Sequence, residues 1–172
     1  SKGVMLTLII CALLLGIASS AQAQSPIVFG LRPDDAMKGY FEFSVKPGDV
    51  IKDAVLVVND SEQPLTLNVT LADGQTNSTG GTGFADKGDK AKQWIAAPDL
   101  GVMQIAAKEN GQPKAARVPF TLSVPKDAAP GEYLFGFVAS PTAQGSSLAA
   151  KGFVVNVVQR SAVSVIVRVA GD

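Results

Sequence analysis

Leu65, Leu67, Val69 and Leu71 alternate with Thr66, Asn68 and Thr70, and the same period of two returns at Val118, Phe120, Leu122 and Val124. Alternation of this kind places one face of a strand in a core and the other in water, and it is incompatible with a helix, whose apolar positions repeat every three or four residues. Phe41, Phe43 and Val45 carry a shorter version, separated by Glu42 and Ser44. Ala54 to Val58 is apolar at both parities, as expected of a central strand, and Tyr133 to Val138 is nearly so. Turn chemistry separates these runs at Lys46-Pro47-Gly48-Asp49, Asn59-Asp60-Ser61 and Ala129-Pro130-Gly131-Glu132. No stretch after the first residues has the pattern of an amphipathic helix, so the chain reads as all-β, an antiparallel immunoglobulin-like β-sandwich. Phe41, Phe43, Val57, Leu67, Val69, Phe120, Leu122, Phe135 and Val165 are its expected core.

Two segments depart from simple alternation. Phe153 to Val169 is 17 residues of strand-like sequence without a glycine or proline. One straight strand of that length exceeds what a domain of this size holds, which predicts a break near Gln159-Arg160-Ser161-Ala162. Asp73 to Lys92 is rich in Gly, Thr, Ser, Asn, Asp and Lys, with Phe84 as its one large apolar side chain. It is expected to be a long exposed loop, either functional or a tolerated mobile connection.

Lys2 precedes an apolar run of 15 residues, Val4 to Ala18, followed by Ser19-Ser20-Ala21-Gln22-Ala23. A charged start, an apolar middle and a small-residue exit are the parts of a secretory signal peptide, expected as a helix over residues 1–23 and cleaved after Ala23. The run falls short of the roughly 20 residues that span hydrocarbon. Cys11 lies inside it and is preceded by Ile10, which does not suit a lipoprotein cleavage site. Residues 24–172 then form a single sandwich domain, read as the N-terminal part of a longer protein. They contain no cysteine, so the domain is held by its core and not by disulfides.

Composition narrows the function. The 172 residues include no histidine, which removes Ser-His-Asp and Cys-His catalysis and imidazole metal sites. Fifteen basic and fifteen acidic side chains give a formal net charge of zero, without the excess of positive charge that phosphate or anionic membrane surfaces demand. Neither nucleic acid nor membrane insertion is expected of the mature domain. Gly80-Gly81-Thr82-Gly83 lacks the lysine and the following helix of a phosphate loop. Asp34-Asp35 and the pair Asp86 and Asp89 are the nearest approach to carboxylate clusters, but they lie in turn-like segments, the second beside Lys87 and Lys90. They read as solvated loop charge; no metal, cofactor or enzymatic activity is expected. Asn59-Asp60-Ser61, Asn68-Val69-Thr70 and Asn77-Ser78-Thr79 match the glycosylation sequon and are read as chance.

Two aromatic residues stand out. Trp94, the only tryptophan, adjoins the polar run and is the candidate binding residue. It reads either as an exposed platform for the C–H face of a sugar or as a plug in the sandwich edge. Tyr133 follows Pro130-Gly131-Glu132 and is expected to form a tyrosine corner, its hydroxyl bonding upstream backbone.

The order Phe29-Gly30-Leu31-Arg32-Pro33, Tyr40-Phe41, Pro47-Gly48, Val57-Val58-Asn59, Trp94-Ile95, Val118 to Pro125, Ala129-Pro130-Gly131-Glu132-Tyr133 and Val167-Arg168-Val169-Ala170-Gly171 resembles the N-terminal, peptidoglycan-binding domain of WxL-interacting proteins. Each motif alone is common in bacterial immunoglobulin-like domains; their order and spacing are more specific. The resemblance implies an exported protein at the cell surface of a Gram-positive-type envelope, with an immunoglobulin-like fold, that helps hold partner proteins against the wall. The expected function is thus a non-catalytic cell-envelope binding and scaffolding module, with cell-wall glycan or other envelope surface proteins as partners. The alternative is a chaperone- or pilus-related sandwich that binds a protein client by strand addition. That reading requires an exposed alternating edge strand beside a basic cleft, for which Arg160 and Arg168 are the basic candidates.

Overall fold

The computed structural model describes residues 26–76, 80–143, 147–150, 153–156 and 159–171. The expected signal peptide, Cys11 and the sequon at Asn77 lie outside the described residues. Two sheets face each other. The first contains β1 (Phe29–Pro33), β3 (Val50–Asn59), β8 (Lys114–Ser123) and β6 (Ile95–Ala96), in the order β1-β3-β8-β6. The second runs β2 (Phe41–Val45), β12 (Ser161–Val169), β9 (Gly131–Pro141) and β4 (Leu65–Thr76). Along the free side of β4, β5 (Thr82–Phe84) pairs with one end and β7 (Gly101–Ile105) with the other. A separate two-stranded ladder joins β10 (Ser147–Ala150) to β11 (Phe153–Asn156), and one helical turn, α1, spans Ala91–Trp94.

The expected alternation is met strand by strand. In β4, Leu65, Leu67, Val69 and Leu71 are buried while Thr66 and Thr70 are exposed. Both strands expected to be central are central: β3 lies between β1 and β8, and β9 between β12 and β4. Phe41, Val57, Leu67, Val69, Phe120, Leu122, Phe135 and Val165 are all buried, and Phe43 is half-buried against them. At the centre the Phe120 ring lies 5.1 Å from those of Phe41 and Phe137, edge-on to the former. Each such ring contributes about 1.5–3 kcal/mol through burial alone.

The sandwich is mixed and not wholly antiparallel: β2 runs parallel to β12, with Phe41 opposite Val165 and Val45 opposite Val169. After β1 the chain does not turn back on itself but passes through residues 34–40 to the other sheet, and so enters β2 in the direction of the last strand. Alternation carries no information about strand direction, which explains why the sequence pattern missed it. The expected break in the last stretch is present. β11 pairs only with β10, Gln159 and Arg160 belong to no strand, and β12 then joins β9 and β2.

Asn59 is a buried polar pin at the end of β3. Its amide donates to the carbonyls of Gln63, Ile105 and Ala106 at 2.9, 3.2 and 3.0 Å, and its Oδ1 accepts from Ser61 N–H. The Ser61 hydroxyl in turn accepts from Val28 N–H and donates to Val28 O, fastening the start of β1. Such an Asn is structural, and its burial withdraws the first sequon from modification.

Candidate functional site

The polar run is folded where the sequence predicted an exposed loop. β4 continues to Thr76, and β5 returns beside it with Gly74 opposite Phe84 and Thr76 opposite Thr82. Asp73 then gathers the chain that follows. Its N–H donates to Lys87 O, its carbonyl accepts from Ala85 N–H, and its carboxylate accepts from the N–H groups of Lys90 and Ala91 at 3.1 and 2.7 Å. Two glycines permit the close approaches this requires. A Cβ at Gly88 would meet the Leu71 carbonyl oxygen at 2.5 Å, and one at Gly136 would overlap the Phe84 ring. Phe84 is therefore a clip over β9, not an isolated apolar residue in a loop.

The same segment carries Trp94 inward. Trp94 is only 4% exposed, its ring 4.4 Å from that of Tyr133 and 5.5 Å from that of Phe135 between centroids. Of the two sequence readings, this geometry is that of a plug, and the ring offers no flat face to solvent. Tyr133 adopts the expected corner, its hydroxyl donating to Ala129 O at 2.8 Å, while the Lys90 ammonium lies 4.7 Å from the centre of its ring.

The carboxylates that sequence singled out are dispersed. Asp34 accepts from Arg117 Nε at 2.7 Å. Asp35 closes a local turn by accepting from Met37 N–H and lies near Lys38. Asp86 pairs with Arg160 at 3.0 Å, and Asp89 is exposed. Among the described residues no three His, Cys, Asp or Glu side chains are grouped so as to hold a metal ion. The two arginines expected to line a basic cleft are each matched by acid. Arg160 meets Asp86, and Arg168 bridges Glu42 on β2 and Glu132 on β9.

What sequence reasoning missed is the turn before β2 and Tyr40 as the continuation of that strand's outward parity. Tyr40 is 48% exposed. Its hydroxyl is 3.5 Å from the Glu42 carboxylate. Met37, 92% exposed, projects from the turn that Asp35 closes through its side chain and through Lys38 N–H donating to Asp35 O. Tyr40, Glu42 and Ser44 share the parity opposite to buried Phe41 and Val45, and that phase was the available signal. Along the same edge lies a groove of about 430 Å³ between Ser44, Lys46, Asp49, Arg168 and Ala170. An exposed ring, a thioether, a bridged charge trio and a groove thus follow one another on one border of the second sheet. This array can stack on an apolar ligand face and offer hydrogen bonds without net charge capture.

A family model described as WxL Interacting Protein, peptidoglycan binding domain, matches residues 32–140, from β1 to the end of β9. No curated protein matches the chain in sequence. Among solved structures, a PapD-like domain of human CEP192 is 8% identical with a TM-score of 0.39, over 82% of each chain. A family 123 glycoside hydrolase from Clostridium perfringens is 10% identical with a TM-score of 0.47, over 84% of this chain and 27% of that one. A structure of the CsuC–CsuE chaperone–tip adhesion subunit complex of Acinetobacter baumannii is 11% identical with a TM-score of 0.46, over 85% of this chain and 58% of that one.

Proposed function

The chain belongs to the family of WxL-interacting protein peptidoglycan-binding domains, and from that membership we propose that it is a non-catalytic module of the cell envelope that attaches to peptidoglycan through the β2 border. The family match carries the reading. The border supports it with the exposed Tyr40 ring, whose face suits the C–H groups of a sugar, and with Glu42, Ser44 and Arg168 as hydrogen-bonding neighbours. Trp94 enters as a support beneath Tyr133, not as a contact surface. Export through the leader ending at Ala23, and a role in holding other envelope surface proteins near the wall, belong to the same proposal. Among the described residues no helix is long and apolar enough to cross a membrane.

Because residues 24–172, without Lys2, carry 14 basic against 15 acidic side chains and so no positive excess, attachment rests on stacking and short-range bonds. It should then depend weakly on salt, whereas capture by basic clusters weakens as screening shortens to about 8 Å near physiological ionic strength. The exported chain is mixed with insoluble peptidoglycan and sedimented at two salt concentrations. Wild type is expected in the pellet at both. Tyr40→Ala is expected in the supernatant with an unchanged melting temperature, since the side chain is half in water. Wild type remaining in the supernatant would refute wall binding; Tyr40→Ala pelleting like wild type would move the contact off the β2 border.

A further inference from the structure

A pocket of about 210 Å³ lies where the Phe84 clip meets the start of β12, between Phe84, Val138, Arg160, Ser161 and Ala162. Ala162 stands opposite Val138 in the β12–β9 register, and the Phe84 ring lies over the neighbouring Gly136. The space is thus bounded on its apolar side by a ring, an isopropyl group and a methyl group. The Ser161 hydroxyl is placed toward Gly30 on β1, so the Arg160 guanidinium is the polar group left to meet a ligand, and it is the one charge in the lining.

That guanidinium already holds a carboxylate. Asp86 Oδ1 accepts from Arg160 Nη1 at 3.0 Å, with the two side chains 89% and 41% exposed. An ion pair so open to water is weakly held, and Nη1 is the only Arg160 nitrogen with a partner among the described residues.

We propose that this pocket is a receptor for a carboxylate end: a chain terminus whose free carboxylate displaces Asp86 on Arg160 and whose small alkyl group enters the space between Phe84, Val138 and Ala162. A planar guanidinium can bind a carboxylate through two parallel N–H···O bonds. One guanidinium suits a single negative charge, whereas phosphate groups are recognised by clusters of arginines. The volume falls below the roughly 300–1,000 Å³ of sites that enclose a drug-sized ligand, so the pocket takes the end of a chain and not its length.

In the register that sets Phe41 beside Val165, Tyr40 falls beside Ser164, two residues along β12 from Ala162 and on the same outer face. The backbone positions of pocket and ring are then roughly 7 Å apart along the strand. The source of the ligand rests on the wall-binding reading: peptidoglycan carries on its sugars short peptide stems that end in an alanine carboxylate. A sugar on Tyr40 and a stem end on Arg160 are two parts of one polymer.

The probe is N-acetyl-D-alanyl-D-alanine, titrated into the exported chain and followed at the backbone amides of Phe84, Val138 and Ala162 by NMR. Its C-terminal amide, which keeps the methyl groups and removes the charge, is the control. The acid should bind saturably with a Kd on the order of 1 mM, and the amide should not bind. Arg160→Gln should weaken binding about tenfold or more, as losing a hydrogen bond to a charged group does. Asp86→Asn removes the competing carboxylate and should strengthen it. Both variants should keep the wild-type melting temperature, and if Arg160→Gln unfolds, Asp86→Asn and the amide decide. An acid that shifts none of these amides overturns the proposal, as do equal binding of acid and amide, unchanged binding in folded Arg160→Gln, and an Asp86→Asn that binds no better than wild type. Sedimentation with peptidoglycan separates this proposal from the reading it rests on. Wild type in the pellet without binding of the acid refutes the pocket alone; binding of the acid with wild type in the supernatant refutes the wall as the source of its ligand.

Discussion

The Tyr133 hydroxyl donates to the Ala129 carbonyl, 2.8 Å away and four residues upstream. The bond ties the entry of β9 back onto the turn that precedes it, while the same ring packs on Trp94 beneath. Tyr133→Phe keeps the ring contact and deletes only the bond. It should lower unfolding stability by about 0.5–1.5 kcal/mol, the net contribution of one hydrogen bond. Urea denaturation checks this, with an unchanged slope showing that the folded state is otherwise intact.

That corner was legible because Pro-Gly-x-Tyr opens a strand, and the core was legible because Phe41 and Leu67 hold one parity against polar neighbours while Val57 lies in a run apolar at both parities. The polar run was not, since composition counts Asp73 as a loop residue although its backbone and carboxylate make four bonds that fold the segment. Gly88 and Gly136 likewise read as flexibility but serve as gaps into which backbone and the Phe84 ring fit. Trp94 ends a single helical turn too short to show a period, so its direction depends on contacts with β9 that no local pattern records. Tyr40 was overlooked because the buried Phe41 beside it carries the strand signal.

Asn59 has a different kind of importance from the rings. Its side chain serves three carbonyls and one N–H, and it is fully buried, so water cannot replace it. Asn59→Ala leaves these groups unpaired and should cost about 2–3 kcal/mol. Hydrogen exchange should localise the loosening to the end of β7 and the 59–63 turn, whereas a loss spread evenly over β9 and β12 would contradict the role given to Asn59.

The turn at Asn110 and Gly111, both with positive φ of 52° and 74°, is flanked by the pair Glu109 and Lys114. The hydrogen bond from Lys114, and then its charge, hold the Glu109 carboxyl below the ordinary glutamate value. A lowered folded-state value means that the interaction contributes above the unfolded pKa and is lost as pH falls through the folded one. Lys108 shifts the other way, raised first by its hydrogen bond to Glu62 and then by that charge, so its contribution is present at neutral pH and is lost only as pH rises through its elevated value. NMR titration should show Glu109 returning upward in Lys114→Met with Lys108 unmoved.

The last expectation concerns the segment that places Trp94. Asp73 reaches across from β4 to accept from the N–H groups of Lys90 and Ala91, the entrance to the helical turn that ends at Trp94. Asp73→Ala deletes both bonds but keeps the backbone bonds to Ala85 and Lys87. The cost should resemble that of losing a cap, about 0.5–2 kcal/mol, and should fall on one segment. Amides of Lys90 and Ala91 should then exchange faster while those of β3 keep their protection. With the segment loosened, the only tryptophan becomes its own reporter: Trp94 fluorescence should shift to the red at denaturant concentrations below the global transition. A single transition with unchanged emission beforehand would show that Phe84 and Gly88 hold the segment without Asp73.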